Sequence, residues 1–282
     1  YAVNVGTGAD VLLGSRTITI KEAEDKGDNA VALENNLEKA TVSGIVNKNY
    51  TGKAQGQSNM LVKIGNRILA KNTDYKVSYS NNTNLGTATV KISGTGEYEG
   101  SIKKTFQIKV VRNKTYTIDT MKYKMYYPAT DGTGRVALAG TTKSNASLTS
   151  LSVPSKVKIG GKVFHVTVIE KKAFKGKTRL KKVVVGNSVN TIGEQAFAKC
   201  TSLAAVSVGT GLRRISKQAF YGCKQLSRMT VKSTQLCLVA YQAIYNIKKT
   251  AVIAIPAKKL ASYKNEFSKR TGYKTTMKLK KK

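Results

Sequence analysis

His165 is the only histidine in the chain, and Cys200, Cys223 and Cys237 are its only cysteines. A nucleophile–base pair needs such groups to converge, and a zinc centre needs Cys or His in close-set pairs. The chain contains no CxxC, HExxH or GxSxG string, so neither a metal-ligand spacing nor a nucleophile elbow is present. His165 stands between Phe164 and Val166 in an alternating segment, which turns it away from both as an exposed strand residue. Cys200 and Cys223 recur in matching contexts, AKCTSL and YGCKQL, where a buried structural thiol is the plainer reading; Cys237 is expected to be buried too. The GTG strings at 6–8 and 94–96 have the wrong spacing for a dinucleotide loop and precede strands, so they read as turns. Glu22, Glu24, Asp25 and Asp28 fall in a polar linker and read as solvating groups. These residues call for no catalytic centre, no cofactor and no metal.

The strongest chemical signal is charge. Lys and Arg number 49 against 15 Asp and Glu, a net charge of +34. Seven of the twelve residues in KKAFKGKTRLKK (171–182) are cationic: Lys171, Lys172, Lys175, Lys177, Arg179, Lys181 and Lys182. Stacked in a repeating structure, such residues create a field that attracts polyanions and weakens with salt. Lysine also keeps repeat proteins hydrated and separate, and both readings stay open. Nucleic acid is the weaker candidate partner, because no RNP, zinc-finger or helix-turn-helix pattern accompanies the basic runs. No run approaches 18 apolar residues, so no helical membrane span is expected.

The elements that carry these side chains repeat. IGEQAFAKCTSL (192–203) and ISKQAFYGCKQL (215–226) align at an interval of 23 residues; IEKKAFKGKTRL (169–180) precedes them and LVAYQAIYNIKK (238–249) follows with one residue inserted. After each of the first three comes a short L-x-x-V-x-V strand: LKKVVV, LAAVSV and LSRMTV. One such unit cannot bury its own apolar face, but stacked units turn Leu, Val, Ile and Phe into continuous columns. The spacing therefore predicts a solenoid. Its AF segments, too short for full helices, are expected to form single helical or 3₁₀ turns that tuck Phe174, Phe197 and Phe220 inward.

The pattern C-x-x-L-x-x-V-x-V followed by I-G-x-x-A-F resembles the Treponema-type, BspA-like leucine-rich repeat of bacterial surface proteins, across about 148–256. VIAIPAKKLASYKNEF (252–267) is similar to the closing strand and helix of such arrays. Lys177 and Asn246 replace the cysteine in the outer units, as capping units often do.

Upstream, DYKVSYSNNTNLGTATVKISGTGEYEGSIKKTFQI alternates apolar and polar residues between Asn/Gly-rich turns, the pattern of a β-sandwich. It resembles the immunoglobulin-like repeats found beside leucine-rich arrays in Gram-positive surface proteins. A weaker echo of 89–108 at residues 1–20, offset by 88, suggests the end of an upstream copy and hence a chain that is a piece of a longer protein. The first residues carry none of the marks of a secretory leader.

The fold expected is thus mainly β: an immunoglobulin-like β-sandwich followed by a leucine-rich repeat solenoid with short helical turns. Its parts are an upstream remnant and linker (1–39), the sandwich (40–110), a β-rich N-terminal cap (111–168) with a Gly-Gly hairpin in KVKIGGKVFHV, the repeats (169–256), and a closing helix with basic tail (257–282). The resemblance implies a non-enzymatic, secreted or wall-associated protein that binds a host or neighbouring-cell surface protein or glycan through the repeats. Two alternatives are an accessory region of a larger wall- or glycan-acting enzyme, and a structural module held to anionic wall polymers by its charge.

Overall fold

A computed structural model describes residues 11–13, 16–18 and 35–282. Of the supposed upstream remnant and linker (1–39) only the antiparallel pair Val11–Leu13 and Arg16–Ile18 and residues 35–39 are described; Glu22, Glu24, Asp25 and Asp28 lie outside the described residues. The described architecture is mainly β, with one seven-residue α-helix, Leu260–Glu266, and three single 3₁₀ turns. The chain divides into two compact units, the second running from Ile108 to Lys282 and including Asn49–Lys53 and Thr83–Gly86.

In the first unit, Thr41–Ser43, Leu61–Ile64 and Arg67–Ile68 form an antiparallel three-stranded sheet, and a four-stranded sheet orders Lys48–Asn49, Ser101–Lys109, Gly86–Gly94 and Tyr75–Ser80. Ala88, Val90 and Ile92 are fully buried at alternate positions of one strand, as period-two burial requires. Val62 and Leu69 join Val90, Ile92 and Tyr98 in one cluster, where each fully buried aliphatic side chain contributes about 1.5–3 kcal/mol. GTGEYEG forms the bend after the strand ends at Gly94: Gly96 and Gly100 have φ of 65° and 73°, and the N–H of Gly94 donates to Gly100 O at 3.0 Å.

The second unit is organised by the 23-residue interval. Lys182–Val185, Ala205–Val208, Arg228–Val231 and Val252–Ile255 pair in parallel with Val183, Val206, Met229 and Ile253 in register. Ser150–Val153 extends one edge of this sheet and Lys278–Lys281 the other. The C-terminal basic residues are thus not simply a solvated tail. Leu279 takes the register position after Ile253, and Lys278 and Lys280 alternate around it. The inserted residue falls in the bend between Val231 and Leu236, where buried Ser233 donates to Leu212 O at 2.6 Å and Tyr263 donates to Ser233 O at 3.0 Å.

A second sheet carries the recurring isoleucine position of the repeats: Ile169, Ile192, Ile215 and, in the last, Val239 pair in parallel register. It continues through Lys162–Ile169, Arg135–Thr141, Met121–Tyr127 and Thr115–Ile118. Lys156–Ile159 pairs with Lys162–Ile169 through Gly160 and Gly161, whose φ values of 55° and 79° make the two-residue turn expected of that hairpin.

Between the sheets run the AF segments, and here the expected helical turns are not found. Lys172, Phe174 and Gly176 donate their N–H groups to Glu194, Ala196 and Ala198 of the next repeat at 2.9, 2.8 and 2.8 Å. The intervening Ala173, Lys175 and Lys177 donate back to Glu170, Lys172 and Phe174. A helix would keep every N–H within its own segment; here alternate donors serve the neighbour, so each segment is a run of hydrogen-bonded turns. Left-handed backbone at Lys172, Gln195, Gln218 and Gln242, and again at Gly176, Lys199, Gly222 and Asn246, produces the alternation.

Leu180, Leu203, Leu226, Phe174, Phe197 and Phe220 are all fully buried. The three rings stack at 5.5 and 5.3 Å with interplanar angles of 8° and 6°, so the repeat interval becomes a column of parallel aromatics.

Candidate functional site

The basic run of the first repeat occupies three parts of its coil. Lys171, Lys172 and Lys175 lie exposed on the AF turn; Arg179 and Lys181 are exposed on the bend that follows; Lys182 faces outward from the strand sheet. Lys177 is half-buried, and its amine donates to Lys143 O at 3.1 Å. Lys171 pairs with Glu194 at 3.1 Å, and Lys175 donates to Gln195 Oε1 at 2.7 Å. The amines of Lys172, Lys181 and Lys182 and the guanidinium of Arg179 have no side-chain partner among the described residues. The geometry therefore gathers a cationic turn and bend, while Lys177 is spent on structure and Lys182 belongs to another face.

An amide ladder runs along the same turns. Gln195 Nε2 donates to Gln218 Oε1 at 2.7 Å, and Gln218 Nε2 donates to Gln242 Oε1 at 2.8 Å, with the Lys175 amine closing the first end. Beside it Tyr221 and Tyr245 stack at 5.6 Å. These contacts exist because Gln recurs before Ala-Phe at 195 and 218 and before Ala-Ile at 242, each time in the same left-handed backbone conformation.

The strand sheet follows the alternation read from L-x-x-V-x-V. Lys182, Val184, Ala205, Ser207, Arg228 and Thr230 point outward, and Val183, Val206 and Met229 point into the core. That outer face is small and mostly neutral.

Cys200 and Cys223 are buried, and their thiols donate to Phe174 O and Phe197 O, both at 3.1 Å. Burial pushes the Cys200 thiol up to about 11 and raises Cys223 further, so neither is poised as a nucleophile. Cys237 corrects the expectation: it is exposed. Leu236 and Val239 on either side fill the interior, which leaves Cys237 on the outside of the bend with its thiol 3.3 Å from Arg213 O. His165 does point away from buried Phe164 and Val166, but it is half-buried rather than exposed, with Nδ1 3.4 Å from Ser188 Oγ one repeat along. Among the described residues no group of three or more His, Cys, Asp or Glu side chains is arranged to hold a metal ion.

Sequence reasoning missed a cleft. Tyr126, Tyr127, Arg112 and Arg135 line an open depression of about 630 Å³ that also takes in Thr167 and Asn190. Burial, with Glu170 beside it, pushes the Tyr126 phenol up to about 12; it stays protonated and donates to Glu170 Oε1 at 2.8 Å. The adjacent YY in MKYKMYY was a signal, since strict alternation gives two neighbouring tyrosines opposite faces.

The description "BspA type Leucine rich repeat region" matches residues 167–279 in six copies. Over these residues the chain belongs to the BspA-type leucine-rich repeat family. A leucine-rich repeat protein from Bacteroides capillosus ATCC 29799 is 31% identical over 43% of this chain and 84% of its own, with a TM-score of 0.38. One from Bacteroides ovatus ATCC 8483 is 20% identical over 51% of this chain and 38% of its own, with a TM-score of 0.40. The T. pallidum leucine-rich repeat protein is 25% identical over 42% of this chain and 53% of its own, with a TM-score of 0.33. The chain thus spans most of the first relative and about half or less of the other two. No curated protein matches the chain. The six BspA-type copies reach Leu279, consistent with Lys278–Lys281 adding a strand to the repeat sheet. No helix of the described residues is long and apolar enough to cross a membrane.

Proposed function

We propose that this chain is a non-enzymatic, secreted or wall-associated bacterial binding protein, in which an immunoglobulin-like first unit presents a BspA-type repeat array to a macromolecular partner. Two sheets sharing one core support the immunoglobulin-like reading of that unit. The buried thiols and stacked phenylalanines are spent on packing, which leaves the surface to do the work.

The observation that carries the reading is the exposed cationic turn of the first repeat, where Lys172, Arg179 and Lys181 keep their charges unpaired. Unpaired cations closely spaced along one chain segment suit a flexible polyanion such as an anionic wall polymer or an acidic cell-surface glycan. The strand sheet offers no comparable anchor. Binding of polyglycerol phosphate to the whole chain, followed by calorimetry, tests this. Lys171→Gln, Lys172→Gln and Lys175→Gln together should weaken it more than Ser207→Glu with Thr230→Glu. The opposite ranking moves the contact to the strand sheet and refutes the assignment.

A further inference from the structure

The cleft beside Tyr126 and Tyr127 is built by two irregularities that face each other. Across one strand pair Met125 opposes Val136 and Tyr127 opposes Arg135, which leaves Tyr126 as an extra residue. Across the other pair Val136 opposes Val166 and Ala137 opposes Val168, which leaves Thr167 as the extra residue. Bulges re-aim side chains. Without the first, Tyr126 and Tyr127 would point to opposite faces of the sheet; with it both are exposed, at 36% and 54%, and both line the cleft. Thr167 and Val168 are brought to it together in the same way.

The charged residues that line the cleft are Arg112 and Arg135; beside it the Asp131 carboxylate is engaged by the N–H and hydroxyl of Thr133 at 2.9 and 2.6 Å. A second neighbouring carboxylate, Glu170, is already taken by the Lys124 amine at 3.4 Å and by the Tyr126 hydroxyl at 2.8 Å. Arg112 and Arg135 have no side-chain partner among the described residues. Asn190 accepts from the Thr191 hydroxyl at 2.8 Å, which leaves its amide N–H groups to donate. The volume of about 630 Å³ falls within the roughly 300–1,000 Å³ of small-ligand clefts.

We propose that this cleft binds a carboxylate-bearing sugar residue of an acidic polysaccharide, with Arg112 and Arg135 on the carboxylate, the Tyr127 ring against the C–H face of the sugar, and Thr167 and Asn190 on its hydroxyls. Guanidinium forks fit carboxylates. A phosphate would use the arginines, Thr167 and Asn190 equally well, but it has no use for an exposed ring, and Tyr127 is what favours the sugar. The site is independent of the cationic turn at Lys171–Arg179.

Calorimetry of the whole chain at about 0.15 M salt tests the proposal, where exposed charges beyond about 8 Å are screened. A tetrasaccharide alternating glucuronate and N-acetylglucosamine should bind, and the neutral N-acetylglucosamine tetrasaccharide should not. Arg135→Gln and Tyr127→Ala should each weaken binding about tenfold or more, as expected for losing one charged hydrogen bond or one stacked ring. Arg112→Gln, on a different segment, repeats the test if Arg135→Gln misfolds. Ser207→Ala with Thr230→Ala, on the outer face of the strand sheet, should leave this affinity unchanged. Equal binding of the neutral sugar, no binding of the uronate sugar, unchanged affinity in the folded cleft variants, or cleft-dependent binding of inorganic phosphate with equal affinity would overturn it.

Discussion

Cys223 donates its thiol hydrogen to the backbone carbonyl of Phe197 in the preceding repeat at 3.1 Å, and that carbonyl also accepts the N–H of Cys200 at 3.2 Å. One oxygen is thereby satisfied from its own turn and from the next. The bond from Cys200 to Phe174 repeats the arrangement, which gives each recurring cysteine an acceptor one repeat back, while the phenylalanines recur for their stacked rings.

The thiols should separate by reactivity. At pH 8 a thiol reagent should modify exposed Cys237 quickly in the native protein and reach Cys200 and Cys223 only on unfolding, because burial raises both of their pKa values. Labelling of all three at one rate would refute the buried ladder. The same shifts fix a pH dependence. For Cys200 a folded-state pKa raised from 9.0 to about 11 contributes stability that is present below pH 9.0 and lost as pH rises to about 11. Denaturant midpoints should therefore fall over that window, and less so in Cys200→Ala.

The phenylalanine column should be most sensitive at its centre. Phe197 stacks on both Phe174 and Phe220, whereas Phe174 has one ring neighbour in the column. Phe197→Ala should cost about 3–5 kcal/mol in urea unfolding, with Phe174→Ala toward the lower end. Equal and small losses would show that the rings are not a packed column.

Left-handed backbone sets a third expectation. Gly222 has φ of 72°, and a Cβ there would come no closer than 3.9 Å to Lys199, so the cost of Gly222→Ala is backbone strain of about 1–2 kcal/mol rather than a clash. Gly222→Asn should cost less. At the matching position Lys199 has φ of 59°, and Lys199→Gly should be neutral or stabilising by thermal melting.

The amide ladder supplies a fourth. Gln218 both accepts from Gln195 and donates to Gln242, so Gln218→Ala removes two hydrogen bonds and should lower stability by about 1–2 kcal/mol. Gln218→Glu keeps the acceptor but loses the donor, and it should recover only part of that loss in the same melt.

Salt separates the two proposed contacts. Polyglycerol phosphate binding at the cationic turn should fall steeply as ionic strength rises, because Arg179 and Lys181 act from solvent. A plateau unaffected by salt would argue for a contact made by shape.

Periodicity alone determined the repeat interval, the inward phenylalanines and leucines, the outward Lys182, Ser207 and Thr230, and the buried Cys200 and Cys223. Those properties follow from side-chain spacing, which any stack at a constant interval must obey. Three things were decided only in three dimensions. The AF segments became turns rather than helical turns, because alternate N–H groups find acceptors on the next repeat, a partner that no local pattern reveals. Cys237 became exposed because Leu236 and Val239 already fill the interior around the inserted residue. The cleft arose because two bulges on different strands, remote in sequence, meet across Arg135–Ala137 and turn Tyr126, Tyr127, Thr167 and Val168 to one side. A bulge breaks the period-two rule by which strands are read, so the residues it re-aims are the ones alternation cannot place.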